Sequence, residues 1–283
     1  MRSQPRARVS SGYQNKSDKY DPSTGQTRNL RQVPSDEVVE TVSRKEFLHE
    51  VFDYGNGQDA TFLGPTQRGK TTLAIECLRV VISPERRCVL LAGKPPGRDP
   101  TMAKAAEKLN LRIIETWPPG YNPRDRNRNG YVLRPHQGMK DLDADQANIR
   151  EQFRKALLAN YSNTKKPTIT LVDEATHVQV DLKLKAECEA ILTRGSPHAA
   201  CWSLLQRGRH VSYHCYSAPE HVFIFYDPDE SNRMRYSEIG GVDPRYVESL
   251  TSSLKTERVP SGGTVSQCLY IRRSGPELYI VDI

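Results

Sequence analysis

No run in these 283 residues approaches the ~20 consecutive apolar side chains of a bilayer-spanning helix, so no membrane span is expected. No Cys-x-x-Cys pair occurs either. The six cysteines stand singly at 77, 88, 188, 201, 215 and 268, five of them in expected strands or helices. That spacing argues against a zinc ribbon or a disulfide framework and for buried, reduced thiols in a cytoplasmic protein. Internal repeats are absent. Hydrophobic residues make up only 36% of a chain long enough for one large core, and charged residues reach 27%.

The amino-terminal segment accounts for part of that apolar deficit. Positions 1–34 hold seven cations (Arg2, Arg6, Arg8, Lys16, Lys19, Arg28, Arg31) against two acids (Asp18, Asp21), amid Ser, Gln, Pro and Asn. The segment lacks the apolar stretch of a secretory leader. A disordered basic tail over residues 1–42 is the expectation.

What is present begins at Gly64-Pro65-Thr66-Gln67-Arg68-Gly69-Lys70-Thr71, a match to G-x-x-x-x-G-K-[ST] at every fixed position. An apolar run, Ala60-Thr61-Phe62-Leu63, precedes it, and an amphipathic stretch from Thr71-Thr72 follows. Strand, loop and helix in that order give the motif its meaning. Glycines let the backbone curl so that several N–H groups converge on one phosphate, where a helix N-terminus adds positive charge. Residues 64–72 are thus the candidate ATP cradle, with Lys70 on the β- and γ-phosphates and the Thr71 hydroxyl on Mg²⁺. The alternative is a glycine turn that merely opens a helix.

A second signal is the β-branched run 167–175, ending in Asp173-Glu174. In open α/β sheets ligands sit beyond the carboxyl ends of the strands. Asp173 is placed there for the Mg²⁺ shell, and Glu174 to orient and deprotonate an attacking water. A third is Gln206, closing the apolar run 199–205 and followed by Arg207. On a strand neighbouring the Asp-Glu strand, its amide could bond the γ-phosphate or the lytic water. For each, an ordinary polar strand end is the alternative.

Together GPTQRGKTT (64–72), TITLVDEA (168–175) and SLLQRGR (203–209) resemble the FtsK/HerA superfamily of ring-forming, DNA-pumping ATPases, which includes conjugation coupling proteins and some viral packaging ATPases. Val89 to Pro95 is similar to the family's second strand and its Lys-Pro turn, residues 220–227 to a later strand, and 237–243 to a helix and loop beyond it. The resemblance spans roughly residues 45–260. It implies ATP and Mg²⁺ as ligands, double-stranded DNA bound without sequence specificity, and a homo-hexameric ring. Localisation would be cytoplasmic, or virion-associated in a viral setting. Gln206 would couple hydrolysis to loop movement. The chain departs from the family in Leu205-Gln206-Arg207-Gly208, where Thr-Gln-Arg-Pro is usual. The arginine that reaches a neighbour's nucleotide normally lies in a Gly-Arg step, whereas this chain has Arg194-Gly195. Arg194 is the candidate finger, with Arg207 and Arg209 as competitors and a simple helix-terminal cation as the alternative.

A formal charge of +7 suggests a polyanionic partner. Arg124, Arg126, Arg128 and Arg134 fall in a Pro/Asn/Gly-rich stretch from Pro118 to Gly138, expected to be a long loop. Either it touches DNA phosphates, with Tyr121 and Tyr131 stacking on bases, or it is a solvated insertion.

Helices are expected near 43–52, 100–109, 143–161, 182–194 and 243–254, alternating with strands at 60–63, 88–92, 111–115, 168–172, 199–205 and 221–226. A hairpin is expected around Ser274-Gly275-Pro276. The fold class is therefore α/β: a three-layer P-loop NTPase of RecA/ASCE type with a mostly parallel central sheet. Residues 43–260 would form the ATPase domain, and 261–283 a hairpin completing it. Two rival functions remain. A nucleotide or small-molecule kinase would use the 121–140 arginines as a lid, and an assembly or secretion protein would bind nucleotide without turning it over.

Overall fold

Successive side chains along the central strands enter two different cores. In β2 (Ala60–Leu63) Ala60 and Phe62 join one cluster and Leu63 the other. In β3 (Arg87–Leu91) Cys88 and Leu90 oppose Val89 and Leu91 in the same way, as do Trp202 and Leu204 against Cys201 and Leu205 in β7 (Ala199–Leu205). Strands buried on both faces read as continuous apolar runs and require helices on either side. This computed structural model describes residues 39–283 apart from 96, 98, 139, 207–209, 240, 259–263 and 276. The tail before residue 39 lies outside the described residues.

The remaining strands are β1 (Glu40–Ser43), β4 (Leu111–Ile114), β5 (Gly130–Leu133), β6 (Thr168–Val172), β8 (His221–Phe225), β9 (Thr256–Arg258), β10 (Thr264–Arg272) and β11 (Glu277–Asp282). They form one sheet in the order β1-β11-β10-β8-β2-β7-β6-β3-β5-β4, with β9 on β10. From β8 to β4 every pairing is parallel; β10 runs antiparallel to β8 and to β11. The fold is a mostly parallel α/β P-loop architecture, with β7 inserted between the phosphate-loop strand and the Asp-Glu strand.

Helices α1 (Lys70–Val81) and α2 (Pro100–Lys108) cover one face. On α1, Leu73, Ala74, Cys77, Leu78 and Val81 point inward at helical spacing. Helices α3 (Leu142–Tyr161) and α4 (Lys185–Arg194) cover the other, where Ile149, Phe153, Ala156 and Leu157 are buried. Caps mark the starts: Asp99 accepts from Met102 N–H ahead of Pro100, and Asp141 from the N–H groups of Asp143 and Ala144. Helix α5 (Pro244–Ser252) opens on Asp243 in the same manner. All six cysteines are buried and free.

Two expectations fail. A tail running to residue 42 gives way at Glu40, because β1 pairs with β11 and Val42 is buried against that edge. This pairing is made with residues more than two hundred positions away. The stretch 118–138 is not one long loop either. A short 3₁₀ turn at Pro123–Asn127 is followed by the fully buried β5, wedged between β3 and β4. Tyr131 therefore packs in the core with its hydroxyl on Asp125, and Arg134 is only 5% exposed, so neither is available to DNA.

Candidate active site

The phosphate loop leaves β2 and turns into α1 at Gly69, whose φ of 92° lies in the left-handed region that side chains resist. Arg68 stacks over Tyr226, and Ser266 of β10 donates to the Arg68 carbonyl at 2.8 Å. The last strands thus brace the loop from the side. Lys70 is buried, its Nζ donating to the Pro65 carbonyl at 2.5 Å.

Because β2, β3, β6 and β7 are parallel, their carboxyl ends share one edge. A cleft of about 400 Å³ opens there, lined by the loop and α1 residues Thr66, Gln67, Gly69, Lys70, Thr71 and Thr72. Asp173 and Glu174 arrive from β6, Gln206 from β7, and Lys94 from β3. Gly64, Pro65 and Arg68 belong to the same loop but do not line the cleft. Glu174 has a φ of 54°, a left-handed conformation uncommon for a side chain this size. Its Oε1 meets Lys94 Nζ at 2.7 Å and accepts from Gln206 Nε2 at 3.2 Å. Three strand ends are tied together through one carboxylate oxygen.

The charges respond to this crowding. Burial lowers the Lys70 pKa to about 8, against the opposing pull of Asp173 and Asp227. Burial also raises Asp173 to about 6, helped by repulsion from Glu174 and Asp99 and opposed by Lys94 and Lys70. For Lys94 burial favours the neutral form, yet the Glu174 hydrogen bond and charge prevail and the net shift is upward. A buried carboxylate and a threonine hydroxyl lining the same cleft offer hard oxygens of the kind that suit Mg²⁺. Among the described residues no group of three or more His, Cys, Asp or Glu is arranged to hold a metal alone. A cation there would take its other ligands from phosphate and water, as Mg²⁺ in nucleotide sites does.

Several residues in or beside the cleft were not singled out by the sequence. Asp99 is 7% exposed and caps α2 through Oδ1, while its Oδ2 has no hydrogen-bond partner and lies 3.7 Å from Arg134 Nη2. Asp227, after β8, is buried and accepts from Asp229 N–H and Asn232 Nδ2. Lys94 stood in a Lys-Pro turn without a role. Asp99-Pro100 is legible as a helix start, but nothing local aims it at the phosphate loop.

Arg194 is not brought to this cleft. It is exposed at the end of α4, just before the chain enters β7, so it sits at the opposite edge of the sheet. Gly195 ends that helix, its N–H donating to the Ile191 carbonyl at 2.9 Å. Arg207 and Arg209 lie outside the described residues.

No protein-family model and no curated protein matches the sequence. Among solved structures, the fold is similar to B204, the DNA-packaging ATPase from Sulfolobus turreted icosahedral virus. The TM-score is 0.52 at 11% identity, over 80% of this chain and 98% of that one. It is also similar to the genome-packaging NTPase B204 from Sulfolobus turreted icosahedral virus 2 in complex with AMPPCP, with a TM-score of 0.45 at 13% identity over 79% and 96%. ATPases 2 and 3 of EssC from Geobacillus thermodenitrificans align with a TM-score of 0.44 at 11% identity, over 81% of this chain and 40% of that one. The first of these likenesses establishes a shared fold.

Proposed function

We propose that the chain is an ATP-hydrolysing DNA translocase of the FtsK/HerA type, working as a homo-hexameric ring that moves or packages double-stranded DNA. One observation carries the hydrolytic part. Lys70, Thr71, Asp173, Glu174 and Gln206, scattered over 136 positions, line a single cleft at the carboxyl edge of the sheet. The fold shared with a DNA-packaging ATPase and the charge of +7 support the DNA part.

In this reading the loop amides at 66–70 and the Lys70 ammonium hold the triphosphate and neutralise its charge. Thr71 and Asp173 would hold Mg²⁺, which would supply positive charge to the phosphate oxygens. Glu174 orients a water and accepts its proton. The water oxygen bonds to the γ-phosphorus as the bond to the bridging oxygen breaks, and ADP and phosphate leave. Gln206, bonded to the same Glu174 oxygen, senses whether that carboxylate faces water or phosphate. Lys94 fixes the rotamer of Glu174 by pairing with it. Arg194 of an adjacent subunit is the proposed source of the arginine that completes the charge balance.

Measuring ATP turnover with and without duplex DNA, together with the particle mass in solution, tests the proposal. The expected result is severalfold stimulation by duplex and a mass near six chains. Turnover indifferent to DNA would point instead to a kinase or an assembly protein.

A further inference from the structure

Outside the nucleotide cleft, a cluster of positive charge among the described residues lies at the far end of α1. Arg44 and Lys45, from the short helix after β1, meet Arg79 of α1 and Lys108 of α2 around a cleft of about 270 Å³. Leu48, His49 and Glu76 complete its wall. Four permanent cations against the single carboxylate of Glu76 leave a net charge of +3. Glu46 and Glu50, on the same helical segment as Arg44, are exposed but do not line the cleft.

Two of the four cations are held in place rather than loosely solvated. Glu76 is 12% exposed and accepts from Arg79 Nε at 3.0 Å, while its other oxygen pairs with Lys108. Two cations from different helices are thereby fixed, each with nearly half its side chain still in water. Arg44 and Lys45 are exposed and make no ion pair among the described residues. Two fixed cations and two unpaired ones, presented by three elements to an open cleft, match the charge of a phosphodiester backbone. An enclosed cavity with a base-sized apolar wall, which a free nucleotide needs, is not found there.

Position adds a mechanical consequence. Glu76 and Arg79 lie on the helix that Lys70 begins, about 9 Å along its axis for Glu76 at 1.5 Å per residue. A phosphate gripped at one end and a triphosphate at the other therefore share one rigid rod.

We infer that the Arg44–Lys45–Arg79–Lys108 cleft is a binding site for the sugar–phosphate backbone of double-stranded DNA. This rests on the translocase reading above, and it places the contact here rather than in the 123–127 turn. The site reads charge and not sequence, so its signature is the salt dependence of binding.

The test is fluorescence anisotropy of a mixed-sequence duplex of about 30 base pairs with the full chain, from 50 to 200 mM salt. Arg44→Ala/Lys45→Ala should weaken binding on the order of a hundredfold at the lower salt and flatten the log–log salt slope by about 1.8, at 0.9 per lost phosphate contact. Lys108→Gln serves as a second variant and should flatten the slope by about 0.9. Thermal melts establish that both variants are folded. If duplex binds with unchanged affinity and slope after both sets of changes, the inference is overturned while the translocase reading stands. A shift seen only with Arg124→Ala/Arg126→Ala overturns it too, assigning the contact to the 3₁₀ turn. A wild-type chain that binds no duplex at any salt overturns both.

Discussion

Replacing Glu174 by Gln isolates the one step assigned to that carboxylate. The substituted amide keeps the side chain's length, and its oxygen still accepts from Lys94 Nζ, now 2.7 Å away, and from Gln206 Nε2. What disappears is the charge. The Lys94–Glu174 pair is partly solvated, with side chains 43% and 28% exposed, so its loss costs about 1 kcal/mol at most. Repulsion between Glu174 and the buried Asp173 disappears with it, offsetting part of that cost. Net stability should therefore move by less than about 1 kcal/mol, a shift in Tm of no more than roughly 4 °C. Proton acceptance is lost outright, and removing a general base lowers turnover by about 10²- to 10⁴-fold, or roughly 3–5 kcal/mol in the barrier. Three measurements on one preparation decide the matter: steady-state ATP turnover, equilibrium retention of ATP, and a thermal melt. Turnover within about fivefold of wild type, with folding intact, would refute the assignment. So would loss of ATP retention, since an isosteric amide leaves the phosphate cradle untouched.

Chelation of divalent ions with EDTA should abolish turnover and be reversed by added Mg²⁺ alone; hydrolysis that persists would remove Thr71 and Asp173 from their proposed role. Gly130→Ala should destabilise the fold by roughly 3 kcal/mol or more, read by urea denaturation. Gly130 has a φ of 142°, and a Cβ there would lie 1.8 Å from the Cys88 carbonyl oxygen, so β5 could not stay beside β3. The pH dependence of stability should show two opposed contributions. Burial depresses His221 to about 3, its Nε2–H donating to Gln58 and its Nδ1 accepting from Tyr270, so its contribution is present above about 6.5 and lost as pH falls. Burial raises Asp59 to about 7, so its contribution is present at low pH and lost as pH rises through that value. Between pH 5 and 6.5 these two slopes oppose each other, with Asp173, raised to about 6, adding to the Asp59 side. Asp59→Asn, which still accepts from Cys201 N–H, should therefore make the chain lose about 2 kcal/mol more than wild type on acidifying across that window, measured by denaturant midpoints. A slope unchanged by the substitution would show that Asp59 is ionised in the folded chain.

The turns proposed to carry the chemistry are local in the chain, and for that reason the sequence alone marks residues that the structure gathers in one cleft. A phosphate loop needs glycine at 69, a lysine at 70 and a threonine at 71 within one turn of chain, and strand ends at 173 and 206 announce themselves by apolar runs that stop at a polar residue. The parallel three-layer architecture followed from the same alternation of runs and amphipathic stretches. Contacts between distant segments had no such local mark. Lys94 meets Glu174 only because β3 lies beside β6, and Gln206 reaches the same oxygen because β7 is inserted between β2 and β6. Asp99 is legible in the sequence only as the residue before a helix-opening proline. Four residues, Gly130 to Leu133, are too short a run to separate a buried strand from a loop by periodicity, so the placement of Tyr131 and Arg134 depended on the neighbours that β3 and β4 supply. The parallel pairing of Glu40–Ser43 with the last strand likewise exists only in the assembled sheet. Covalent neighbours determine which groups can act on a phosphate, whereas strand order determines which of them share a cleft, because side chains far apart in the chain interact only after the sheet has set their edges side by side.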